Sequence, residues 1–94
     1  MSLPIFIDID GTLTKSDKSR FGDVHQNRID KVNKLILSGY LIIIWSAGGD
    51  DYAKLFCKKH GINPHAAIGK PQFCVDDNPT IRPVIEVKQP EYLD

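Results

Sequence analysis

The chain has 94 residues, and its twelve basic and twelve acidic side chains cancel, so neither a nucleic acid nor a membrane surface is favoured by net charge. With 41% hydrophobic and 26% charged residues it reads as one soluble globular domain over 1–94. Cys57 and Cys74 lack the paired CxxC spacing of a zinc site and are expected to be buried thiols in a reducing compartment. No apolar run approaches the ~18 residues of a membrane span. The N-terminal run is broken by Asp8 and lacks the basic start and cleavage site of a signal peptide, so a cytoplasmic location is expected.

In chain order, Leu3 to Ile9 is a nearly continuous apolar run, which suits a strand buried on both faces of a parallel sheet. It leads into Asp8-Ile9-Asp10-Gly11-Thr12. Asp8 and Asp10 are two apart, so both can point to the same side at the strand's end. Two bare carboxylates about 4 Å apart repel by roughly 4 kcal/mol at an effective dielectric near 20. A hard divalent cation is the natural compensation, and Gly11 lets the backbone turn away from the pair. The polar stretch from Gly11 to His25 reads as a loop or small hairpin over the strand's end.

Val24, Ile29, Val32, Leu35 and Ile36 then recur at helical spacing between Asp23, a cap candidate, and Gly39, which suits a C′ position. Leu41 to Trp45 is a second buried strand, ending at Ser46 and followed by Ala47-Gly48-Gly49. Trp45 alternates with Ser46 and is assigned to the core. Asp50 is a cap candidate for a second helix to about His60, with Gly61 as its stop. Lys58, Lys59 and His60 suggest a phosphate patch, but the helix dipole accounts for cations in a last turn. A third strand is expected at Ala66 to Ile68, a loop at Gly69-Lys70-Pro71, a fourth strand at Phe73 to Val75 ending in Asp76-Asp77, and a fifth at Val84 to Val87. Strands alternating with helices predict a mainly parallel α/β sheet. Ligands in such sheets bind at the carboxyl ends of the strands, where Asp8, Asp10, Ser46, Asp76 and Asp77 fall.

Each feature alone is weak. Taken singly, Ser46 also reads as a helix cap, Lys70 as a solvated loop residue, and Asp76-Asp77-Asn78-Pro79 as a turn. In this order, however, the set resembles the haloacid dehalogenase-like (HAD) superfamily of phosphohydrolases. Asp8-Ile9-Asp10-Gly11-Thr12 matches that family's DxDGT motif. Ser46 after an apolar strand matches its second motif, Lys70 its third, and the pair Asp76-Asp77 its fourth.

The resemblance implies a Rossmann-like three-layer sandwich with a mainly parallel sheet of about five strands. It also implies cleavage of a phosphate monoester through an aspartyl-phosphate. Asp8 would be the nucleophile and Asp10 the general acid and base. Ser46, Ala47, Gly48 and Lys70 would hold the phosphoryl group. Mg²⁺ would be the cofactor, bound by Asp8, Asp10, Asp76 and Asp77. Too few residues separate the motifs for the cap domain of larger members. Within the family an open site goes with macromolecular phosphorylated substrates, or with a homo-oligomer whose neighbouring subunit supplies a lid. Two other classes compete. A receiver-type phosphoacceptor domain carries its acidic pair after the first strand and its single phosphorylated Asp after the third, the reverse of the order here. A non-catalytic binding module would retain the fold without turnover. Neither GxGxxG nor a P-loop is present.

Overall fold

A computed structural model describes residues 3–16, 23–77 and 86–94. Three strands, β1 (Ile5–Asp8), β2 (Ile42–Ser46) and β3 (Ala66–Gly69), form a parallel sheet in the order β1-β2-β3. Two helices connect them: α1 (Gln26–Leu37) and α2 (Asp50–His60). A 3-10 turn, Pro90–Leu93, follows near the chain's end.

The register places Ile5 and Ile7 beside Ile42 and Ile44, with Ala67 next to Ile44. These side chains share one face, because strand residues alternate. Ile29 and Val32 of α1 and Ala53, Phe56 and Cys57 of α2 join Ile7, Ile42 and Ile44 in a single core cluster. Both helices therefore cover the same face. Right-handed crossovers between strands laid down in chain order produce this arrangement.

The three-layer sandwich of about five strands is thereby corrected. The described residues form two layers, with three strands and two helices. Phe73 to Val75, the expected fourth strand, has no strand structure, and Phe73 and Val75 are 75% and 91% exposed. Three apolar residues between Pro71 and Asp76 gain too little burial and pairing to offset the entropy of ordering them. Of the expected fifth strand, residues 84 and 85 lie outside the described residues, and Glu86 and Val87 are irregular. The opposite sheet face carries Phe6, Ile43, Trp45 and Ile68 by register, and Phe6 is 43% exposed. Trp45 is half-buried there, not in the main core, and stacks at a tilt on Phe6 with ring centroids 4.6 Å apart. Cys57 is buried, and burial pushes its thiol up to about 11. Cys74 is exposed, against expectation.

Helix ends follow local chemistry. The structure caps α1 with His25, not Asp23, and Gly39 takes φ +93° just beyond its last turn. Gly61, at φ +68°, closes α2 with its N–H on the Cys57 carbonyl side of the last turn, where three basic residues face the dipole. Asp50 is the first residue of α2, and Gly49 is the cap.

The 3-10 turn is fastened to α1. Leu93 is buried in the core cluster. Arg28, 7% exposed, donates from Nε to Asp94 Oδ1 at 2.7 Å and from Nη2 to Oδ2 at 3.1 Å, while Asn27 Nδ2 donates to Asp94 Oδ1 at 3.0 Å. The Arg28 hydrogen bond, followed by that of Asn27, lowers the Asp94 carboxyl from 3.8 to about 2. A carboxylate depressed in this way stabilises the fold above its ordinary value and loses that contribution as pH falls through about 2. Thermal melts taken between pH 5 and pH 2 are expected to show a steeper loss for the wild type than for Asp94→Asn. Parallel acid limbs would remove Asp94 as a source of acid sensitivity.

Candidate functional site

The turn after β1 is built on one carbonyl. The N–H groups of Thr12, Leu13 and Thr14 all donate to the Ile9 oxygen, at 3.1, 2.8 and 3.0 Å. Gly11 sits at φ +82°, where a side chain would be strained, and its N–H donates to Thr14 Oγ1 at 3.0 Å. This turn presents Asp8 and Asp10 at the carboxyl end of β1. Of the polar loop beyond it, residues 17–22 lie outside the described residues, and Thr14 pairs with Val24 in an isolated antiparallel bridge.

Asp8 is paired by register with Trp45, so it belongs to the face away from the helices. Lys70 Nζ, just past β3, lies 3.1 Å from Asp8 Oδ1, and Thr12 Oγ1 donates to Oδ2 at 3.1 Å. Lys70 also stands 5.8 Å from the Trp45 ring centroid, within cation–π range. Its backbone N–H donates to the Ser46 carbonyl at 2.9 Å, which fixes the start of the Lys70 loop against the end of β2. Both charged side chains remain partly exposed, so a ligand can reach them.

Asp10 is held from the other layer. Tyr52 Oη of α2 donates to Asp10 Oδ1 at 2.6 Å. The two carboxylates, expected on one side, thus take different partners: Asp8 from the turn after β1 and the residue after β3, Asp10 from α2. Tyr52 reads in the sequence only as apolar helix surface. Its signal is its place in the first turn of α2, directly after the Gly48-Gly49 bend.

Ser46 is 1% exposed, and its Oγ accepts the Gly48 N–H at 3.0 Å. This is a local cap of the bend between β2 and α2. Ala47 and Gly48 are exposed on that bend, and Gly49 at φ +102° completes it. A Cβ at Gly48 would lie 3.0 Å from the Tyr52 ring. Gly69 passes close to the same bend: its N–H donates to Asp50 Oδ1, and a Cβ there would lie 3.1 Å from Gly49 Cα.

Asp76 and Asp77 are exposed on an irregular segment. Among the described residues no group of three or more His, Cys, Asp and Glu side chains is close enough to hold a metal ion. Asp8, Asp10, Asp76 and Asp77 do not form such a group. Lys70 supplies the positive charge next to Asp8. The structure brings together Asp8, Thr12 and Lys70, and separately Asp10 and Tyr52, around the carboxyl ends of the strands.

Removing the Tyr52 hydroxyl tests the second of these contacts. If the site turns over a substrate, Tyr52→Phe is expected to lower the rate about tenfold, the scale on which one lost hydrogen bond of about 1.4 kcal/mol is felt. Gly48→Ala should reproduce part of that loss by displacing the ring. Unchanged rates in both variants would show that Asp10 does not need this contact.

No helix among the described residues is long and apolar enough to cross a membrane. No family model and no curated protein matches the chain. Among solved structures, the chain is similar to a structural-genomics target from Vibrio cholerae known from its crystal structure. The match has a TM-score of 0.58 at 19% identity and covers 99% of this chain and 96% of that one. At that identity the likeness is one of fold.

Proposed function

We propose that the chain is a phosphohydrolase that cleaves a phosphate monoester through an aspartyl-phosphate on Asp8. The carrying observation is the Asp8 carboxylate at the end of β1, held on one oxygen by Lys70 and on the other by Thr12. The sequence order of Asp8, Asp10, Ser46, Lys70 and the Asp76-Asp77 pair, shared with HAD phosphohydrolases, supports the same chemistry.

An Asp8 oxygen attacks phosphorus, and the bond from phosphorus to the ester oxygen breaks. Asp10 gives its proton to the departing oxygen, so the alcohol leaves neutral. Asp10 then takes a proton from water as that water attacks the phosphorus of the acyl phosphate, releasing inorganic phosphate and restoring Asp8. Lys70 offsets charge on the nucleophile and on the phosphoryl oxygens. Tyr52 orients Asp10. Ala47 and Gly48, exposed on the bend before α2, are the proposed phosphoryl contacts, with buried Ser46 shaping that bend through the Gly48 N–H. Mg²⁺ is a proposed cofactor through Asp8 and Asp10, which are oxygen donors of the type it takes. The site lies at an open sheet end with partly exposed charges, which suits a phosphorylated macromolecule as substrate.

One observation favours a second reading, a phosphoacceptor or binding module: Asp8 already has a cationic partner in Lys70. The two readings separate on turnover. The protein would be mixed with nitrophenyl phosphate, nucleotides, sugar phosphates, a phosphopeptide and end-phosphorylated oligonucleotides, with and without Mg²⁺, then quenched in acid. Repeated phosphate release with a phosphoryl adduct mapped to Asp8 is the expected result. A stable adduct without turnover would replace the phosphatase by the phosphoacceptor. An adduct on another residue would overturn both.

A further inference from the structure

Arg28 is a charged residue on the apolar stripe of α1, one turn before Val32, and it is 7% exposed. A buried guanidinium needs its donors satisfied, and here they are shared between two parts of the chain. Nε and Nη2 grip the two oxygens of Asp94 at 2.7 and 3.1 Å, while Nη1 donates to the Thr12 carbonyl at 2.9 Å. The same Thr12 donates its hydroxyl to Asp8 Oδ2 at 3.1 Å. The contacts thus form one continuous line: Asp94, Arg28, Thr12, Asp8.

We infer that Arg28 is a positioning residue for Asp8, acting through Thr12, and that the Asp94 carboxylate holds Arg28 in the orientation that makes this possible. The role in catalysis rests on the phosphohydrolase proposal above; the mechanical coupling does not. A planar guanidinium suits the task because its fork is rigid: once two N–H groups are fixed on a carboxylate, the direction of the third is set. The Thr12 carbonyl it meets belongs to the turn in which three amides converge on Ile9. Fixing that carbonyl fixes the Thr12 side chain and, with it, the Asp8 oxygen left free of Lys70. The 3-10 turn that carries Asp94 is itself seated by buried Leu93, so docking of residues 90–94 on α1 and the posture of Asp8 are linked. Nothing in the DxDGT resemblance assigns either residue.

The test is amide hydrogen exchange of the full chain, read at Thr12, Leu13 and Thr14, together with steady-state kinetics on nitrophenyl phosphate. Asp94→Ala is the first variant, because Asp94 is itself 45% exposed and lies outside the core cluster. Arg28→Lys is the second; it keeps the charge and loses the fork. Losing a charge-assisted hydrogen bond is expected to speed exchange of the three turn amides about tenfold in both variants, with α2 amides unchanged. Turnover should fall through kcat at constant KM, since phosphate contacts from Lys70 and the β2–α2 bend are untouched. If Asp94→Ala frees the 3-10 turn while exchange at Thr12 to Thr14 stays at the wild-type rate, the coupling is wrong. If the turn loosens and kcat does not change, Arg28 is structural and not a positioning residue. Failure of the phosphohydrolase proposal shows differently, as Asp8→Asn retaining the wild-type rate, and the exchange result stands apart from it.

Discussion

Asp8→Asn is expected to lower phosphate release by about 10⁴–10⁶-fold, the scale on which loss of a covalent nucleophile is felt. Asparagine has nearly the same shape and keeps an oxygen that can accept from Thr12. It has no anionic oxygen to attack phosphorus, and it gives up the ion pair with Lys70. That pair is partly exposed on both sides, so its loss should alter stability by about 1 kcal/mol or less. The expected signature is an inactive protein with an unchanged melting transition. Phosphate-release assays run beside a thermal melt would show it, and cleavage at the wild-type rate would remove Asp8 as the nucleophile.

Asp10→Asn should cost about 10²–10⁴-fold, the usual range for a positioned acid or base. The loss should depend on the leaving group. A nitrophenolate departs readily without a proton, whereas an alkoxide from a sugar or a serine side chain does not. A series of esters of increasing leaving-group basicity should therefore diverge between wild type and variant, with the alkyl esters suffering most. Tyr52→Phe is expected to follow the same trend more weakly, because its hydroxyl reaches the reaction only through Asp10 Oδ1. A uniform loss across the series would assign Asp10 to binding rather than proton transfer.

The elements with strong local signals were legible in the sequence. Asp50–His60 is a helix with the limits that its acidic start, basic end and Gly61 indicate. The runs ending at Asp8 and Ser46 are adjacent parallel strands, as their continuous apolar character suggests. Layer number was not legible. Apolar runs reveal strands but not which side the crossovers take, and Phe73-Cys74-Val75 carries a strand-like composition without the length to hold a pairing. The site divides the same way. Asp8 and Lys70 lie 3.1 Å apart, whereas Asp76 and Asp77 fall on an irregular segment and not at a strand end. Tyr52 and Arg28 escaped notice for a common reason: each acts across the fold, over 42 and 16 residues, on the turn after β1. A basic residue on a helix's buried stripe was a usable signal for Arg28, because such a group must find a partner.

Since the sheet order repeats the chain order, every strand docks on the one made just before it. Pairing β2 with β3 closes a span such as Ile43 to Ala66, whereas joining Arg28 to Asp94 closes one of 66 residues. By loop-closure entropy alone the longer span costs about 1 kcal/mol more. Assembly can thus proceed from the first strand onward as the chain lengthens, with the clasp as its final step. A molecule that has built its whole sheet still lacks the Arg28–Asp94 clasp until residue 94 joins it, so the sheet can form before the turn that carries Thr12 is fastened to α1.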